Sequence, residues 1–179
     1  SARTAYQKAV KAQPDFAAAW YAIGMLLTYR EKWYDAIHFF KKALETESGN
    51  AEFWFALGDC EANLFHFKDA KACYENVIEL DPTNEDIWIE YAMLLLENNL
   101  TEDAIYVIQE GIKIHPQLGE YYYYLAAFLY MNGELKESYI ELETALDKDF
   151  QKHQVLFEIC DEMKNDDTVQ YLIQLKKRH

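Results

Sequence analysis

The chain is 179 residues long, 51% hydrophobic and 16% aromatic, and its 17 Lys and Arg against 31 Asp and Glu leave a formal net charge of −14. That apolar content is too high for a disordered chain, and the acidic balance argues against a nucleic-acid partner, because phosphate binding relies on clustered Lys and Arg. No run of eighteen apolar residues occurs, so neither a membrane-spanning helix nor a membrane partner is expected.

Ser1–Pro14 carries the pattern of a polar amphipathic helix, not of a signal peptide. Ala2, Tyr6, Ala9 and Val10 give it an apolar face and Pro14 ends it, so residues 1–16 read as the second half of a helix pair. From residue 17 the chain repeats. Trp20, Trp54 and Trp88 stand 34 residues apart and Tyr122 takes the next place. A period of that length, with helical patterning inside it, marks a stack of helical hairpins and not a compact enzyme fold. Full units are expected at 17–50, 51–84, 85–118 and 119–152.

Within each unit the same face of the first helix carries the periodic aromatic, then Ile23, Leu57, Tyr91 or Leu125, then Gly24, Gly58, Ala92 or Ala126. The small residue admits a second helix, which brings Ala36, Ala70, Ala104 or Ser138 and then Phe40, Tyr74, Ile108 or Leu142. Turns are expected within units at Thr28–Trp33 and Asn98–Thr101, and between units at Asp81-Pro82, His115-Pro116 and Ser48-Gly49-Asn50. Residues 153–179 read as a degenerate capping pair. Val155, Leu156, Ile159, Cys160 and Met163 mark one helix, and Val169, Leu172, Ile173 and Leu175 another. Asp166 and Asp167 before the last helix and Lys176–Arg178 at its end suit the helix dipole. The C-terminus therefore reads as natural and the N-terminus as a cut. The uncovered face of Ala2, Tyr6, Ala9 and Val10 is the expected route of any weak homodimer.

No catalytic constellation is legible. His38, His66, His115, His153 and His179 are dispersed, with no HExxH, no ligand-spaced His/Cys cluster, and no glycine-rich phosphate loop. Neither metal, cofactor nor enzyme activity is expected. Cys60, Cys73 and Cys160 lack CxxC spacing and read as buried free thiols of a reducing compartment, which suggests the cytoplasm.

The spacing of Trp20, Leu57-Gly58, Ala70, Tyr74 and Pro82 and their counterparts resembles the tetratricopeptide repeat over nearly the whole chain. The resemblance implies an all-α, α-solenoid fold, a right-handed superhelix of about eleven helices in antiparallel pairs, and a concave groove lined by the first helices. It also implies that the second, fifth, sixth, ninth, twelfth and thirteenth residues of each unit face that groove. Among those twenty-four positions are six acids and neither lysine nor arginine. The candidate partner-binding residues are Tyr21, Met25, Phe55, Asp59, Ile89, Glu90, Met93, Tyr123 and Tyr124. Tyr21, Phe55, Ile89 and Tyr123 stand where a carboxylate-gripping member of the family would need lysine, so an anionic tail would be repelled. Aromatics, methionines and acids instead suit a basic, amphipathic peptide or helix. Three alternatives stay open. The aromatics fill the groove themselves, the final helices or an N-terminal part occupy it, or the chain is a structural, self-associating segment of a longer helical-repeat protein.

Overall fold

A computed structural model describes residues 16–177. The expected half repeat, with Ala2, Tyr6, Ala9 and Val10, and the self-association assigned to it lie outside the described residues, as does Arg178. The chain divides into two compact units, Ser1–Ile87 and Trp88–His179. The described residues contain ten α-helices and no strand: α1 (Ala17–Thr28), α2 (Trp33–Thr46), α3 (Ala51–Asn63), α4 (Phe67–Leu80), α5 (Glu85–Glu97), α6 (Thr101–Ile114), α7 (Gly119–Met131), α8 (Leu135–Lys148), α9 (Val155–Ile159) and α10 (Asp167–Lys177). The starts of α1, α3, α5 and α7 keep the 34-residue interval of the sequence.

Each pair closes where one helix offers almost no side chain. A Cβ on Gly24 would lie 2.4 Å from Phe40 Cε1, and one on Gly58 would lie 2.6 Å from Tyr74 Cε1 and 3.1 Å from Cys73 Cβ. In the third pair the roles are exchanged. Ala92 takes the first-helix place, and Gly111 of α6 lies so close to Trp88 that a Cβ would meet its Cβ at 2.8 Å. Ser138 of α8 is buried, and its hydroxyl donates to the Ala126 carbonyl at 2.7 Å, so this small polar residue leaves no unmet hydrogen bond.

Four turns join first to second helices with one geometry. Glu31, Phe65, Asn99 and Gly133 all have positive φ, at 56°, 59°, 60° and 84°. The N–H of the next residue reaches back to the carbonyl of Leu27, Glu61, Leu95 or Leu129, and the turn residue's own N–H reaches the carbonyl of Thr28, Ala62, Leu96 or Tyr130. This paired bonding is the Schellman ending, which satisfies helix carbonyls that would otherwise lack donors. Glycine and asparagine suit the left-handed position; phenylalanine does not. Phe65 nevertheless occupies it and is 89% exposed.

Connections between pairs are held by side chains. Asn50 caps α3 by accepting from the N–H groups of Glu52 and Phe53, and Asn84 does the same for Asp86 and Ile87 at α5. Two of the periodic aromatics tie a first helix to the turn before it: Trp54 Nε1 donates to Ser48 O at 2.7 Å and Tyr122 Oη to Pro116 O at 3.1 Å. Lys42 lies over the Trp20 ring at 4.5 Å and Lys148 over Tyr122 at 5.0 Å.

The closing segment departs from the expected pair of plain helices. The first is broken at Cys160, whose backbone is extended, into the five-residue α9 and a 3₁₀ turn, Asp161–Asn165. Good helix formers (Leu156, Glu158, Glu162, Met163) alternate there with indifferent ones (Val155, Phe157, Ile159, Cys160), so helix propensity does not account for the break. Asp166 then caps α10, accepting from the N–H groups of Thr168 and Val169, while the hydroxyls of Tyr130 and Tyr139 donate to its other oxygen. Burial opposes ionisation of that carboxyl, but those four donors outweigh it and hold it below the usual carboxylate range.

Gly58→Ala should lower the stability of the chain by about 1–3 kcal/mol despite alanine's better helix propensity, because the Tyr74 ring must move. Gly49→Ala, with nothing within 4 Å of its added Cβ, is the matched control. Denaturant unfolding of both variants checks this, and equal midpoints would contradict the crossing geometry. In the same assay Phe65→Asn should raise stability by about 0.5–1 kcal/mol through relief of the left-handed strain; a fall would mean the ring makes contacts that outweigh it.

Candidate functional site

In the first unit, the expected binding residues share one side of α1 and α3. Met25 is exposed, while Tyr21, Phe55 and Asp59 are half-buried. Tyr21 stacks on Phe53 at 4.9 Å, lies 5.6 Å from Phe40, and donates its hydroxyl to Glu52 Oε1 at 2.9 Å. Burial, the bond to Glu52 and the charges of Glu52 and Asp59 push the Tyr21 hydroxyl far above its ordinary pKa. One hydroxyl thus feels two carboxylates. Asp59 in turn accepts from Tyr74 Oη at 2.8 Å, and the Tyr74 ring lies 6.0 Å from Phe55. The face therefore presents methionine and aromatic surface beside acids held by tyrosine hydroxyls.

Tyr74 comes from the second helix, where the repeat pattern gives it only a packing place. The signal for its role is a pair of departures in one repeat. Its counterparts Phe40, Ile108 and Leu142 have no hydroxyl, and the counterparts of Asp59 are Met25, Met93 and Ala127. The donor and the acceptor occur together in the same unit.

In the second unit, Ile89 and Met93 of α5 are partly exposed and Glu90 is exposed. Tyr124 of α7 is half-buried, with its ring edge against Phe128 at 6.0 Å. Burial and then the charges of Glu120, Glu90 and Glu158 push its hydroxyl up to about 12. Carboxylates from α5, α7 and α9 therefore act on one tyrosine. Lys152 pairs with Glu120, which moderates the acidity there.

Tyr123 does not belong to an open surface. It is fully buried, donates its hydroxyl to the Asp149 carbonyl at 2.8 Å, and packs with Ala127, Leu156, Cys160 and Met163. The physical reason is the closing segment. α9 and the 3₁₀ turn lay their apolar side chains on the face of α7 that the repeat pattern assigns to a ligand, so the last repeat is filled by its own chain. Repeat register carries no information about that segment, which stands outside the period.

Little reactive chemistry surrounds these faces. Burial, then the neighbouring acids, pushes the thiols of Cys60 and Cys73 up to about 12, so neither is a nucleophile at neutral pH. All three cysteines are free and buried. Among the described residues no helix is long and apolar enough to cross a membrane.

Comparison with known proteins agrees with this architecture. Two family models described as tetratricopeptide repeat match residues 65–127 and 1–28. No curated protein matches the chain. Among solved structures, MamA superposes with a TM-score of 0.77 at 22% identity, covering 86% of this chain and 90% of that one. YrrB, described as a TPR protein with an unusual peptide-binding site, gives 0.70 at 18% identity over 96% of this chain and 90% of its own. PilF of Pseudomonas aeruginosa gives 0.72 at 17% identity, covering 97% and 81%. These likenesses establish the fold. The repeated helix pairs, the small residue at each crossing and the family matches together show that the chain belongs to the tetratricopeptide-repeat family, with an all-α, α-solenoid fold.

Proposed function

We propose that the chain is a non-catalytic protein–protein interaction scaffold that holds basic, amphipathic segments of other proteins against the open sides of its first helices. The observation that carries this reading is the face of α1 and α3. There Met25 and Phe55 offer adaptable apolar contact beside Glu52 and Asp59, which tyrosine hydroxyls orient without neutralising. A lysine or arginine of the partner would find a carboxylate already positioned, and apolar anchors beside it would supply most of the affinity. Ile89, Glu90, Met93 and Tyr124 offer the second unit's counterpart. YrrB, a neighbour in fold described as peptide-binding, is consistent with this class of function.

Random-peptide display against the whole chain tests the proposal. The recovered peptides should carry Lys or Arg within a few residues of aromatic or aliphatic anchors, and their binding should weaken as salt is raised. Asp59→Asn combined with Glu90→Gln removes charge while keeping shape, and should weaken those peptides by about tenfold with helical content unchanged. Recovery of acidic peptides, or affinity indifferent to the double variant, would overturn the reading.

A further inference from the structure

One turn of the first unit differs from its counterparts in two linked ways. Leu27, Leu95 and Leu129 are buried at the carbonyl that closes each Schellman turn, and the second repeat puts Glu61 in that leucine place at 3% exposure. The residue after the left-handed position is Lys32, Leu100 or Glu134 elsewhere, and His66 here. An acid in the first turn of the second helix, by contrast, is common to all four repeats, as Asp35, Asp69, Asp103 and Glu137. Only the second repeat sets an imidazole and a buried carboxylate beside it.

The geometry brings the three together. Glu61 Oε2 lies 2.7 Å from His66 Nδ1, and Oε1 lies 3.5 Å from Lys41 Nζ, so the two carboxylate oxygens have separate partners. Glu61, His66 and Asp69 each offer one ligand atom, and these atoms all lie within 4.8 Å of one another. Burial in the leucine place fixes Glu61. The Tyr34 ring stands edge-on to His66 at 6.1 Å, which limits the swing of the imidazole. Asp69 is exposed and free to change rotamer. A carboxylate in a leucine place must be desolvated where a leucine would simply pack, so its presence asks for a compensating role.

We propose that Glu61, His66 and Asp69 form a zinc-binding site, with imidazole nitrogen, two carboxylate oxygens and solvent as the ligands. One nitrogen and two oxygens suit a borderline cation such as zinc, which takes bonds of about 2.0–2.2 Å from both. Tetrahedral bonds of that length set donor atoms about 3.3–3.6 Å apart. Asp69 has to close in by a rotamer change, and the Nδ1–Oε2 contact has to open slightly as the ion replaces the proton between them. Lys41 keeps the other oxygen of Glu61. A bound ion would join the end of α3 to the first turn of α4 and fasten the turn that displays Phe65. No ligand motif announces this set in the sequence, because the Glu-x₄-His-x₂-Asp spacing becomes a site only when the left-handed turn folds it back.

The rival reading is that Glu61 and His66 merely replace the apolar contact that often closes a Schellman turn. Calorimetric titration of the chelator-treated chain with zinc, and visible ligand-field absorption on titration with cobalt(II), distinguish the two. The wild-type chain should bind one zinc ion, and its thermal midpoint should rise with zinc concentration. Glu61→Leu and His66→Lys each install the residue that another repeat carries at that place, so both should fold, and each should weaken zinc binding by at least about tenfold. Glu61→Leu should also melt no lower than the zinc-free wild type. Absence of zinc and cobalt binding in the folded wild-type chain would overturn the site in favour of the turn contact. Binding retained in both variants would overturn it by placing the metal on other histidines.

Discussion

Three of the four helix pairs depend on one kind of contact: a ring laid against a residue that has no side chain. Phe40 rests on Gly24 and Tyr74 on Gly58, at distances that leave no room for even a methyl group. The close approach lets two short helices share buried surface that neither could bury alone, which is why the pair and not the helix is the unit of folding. The third pair shows that the constraint belongs to the contact and not to a position. There the glycine has moved to the second helix, at Gly111, and the ring that meets it is Trp88.

Much of this was legible before any coordinates. The interval between Trp20, Trp54 and Trp88 places the first helices, and Gly24 and Gly58 mark where a second helix can approach, because they carry no side chain. Three features were not legible, each for its own reason. Tyr123 occupies a groove position in the repeat register, yet it is buried, because α9 and the 3₁₀ turn that cover it lie beyond the last period. The break at Cys160 leaves no mark in the sequence, because the apolar pattern of Val155–Met163 and its several good helix formers both suit a longer helix. The bond between Tyr74 and Asp59 joins two helices, so spacing along one helix cannot show it, and only their joint departure from the repeat marks the two residues.

Tyrosine is the residue through which the acidic chain arranges its charge. Tyr21 holds Glu52, Tyr74 holds Asp59, and Tyr130 with Tyr139 holds Asp166. A lysine in any of those places would orient the carboxylate and cancel it. A phenol orients it and leaves the charge in place; burial first, and then the bonded carboxylate, raise the pKa of the Tyr21 and Tyr139 hydroxyls. The net charge of −14 is thereby partly fixed in direction instead of being a diffuse property of the surface.

The four turns that join first to second helices share one backbone geometry, yet they carry glutamate, phenylalanine, asparagine and glycine at its left-handed residue. The two helices that each turn connects therefore dictate its shape, and the side chain there is a passenger. Such a residue can mutate without redrawing the scaffold, so the surface at these points is able to drift faster than the fold beneath it. For an engineer the same four residues are docking ports: a label, a cross-linker or a grafted loop placed there would inherit a known orientation from the hairpin and ask nothing of its core.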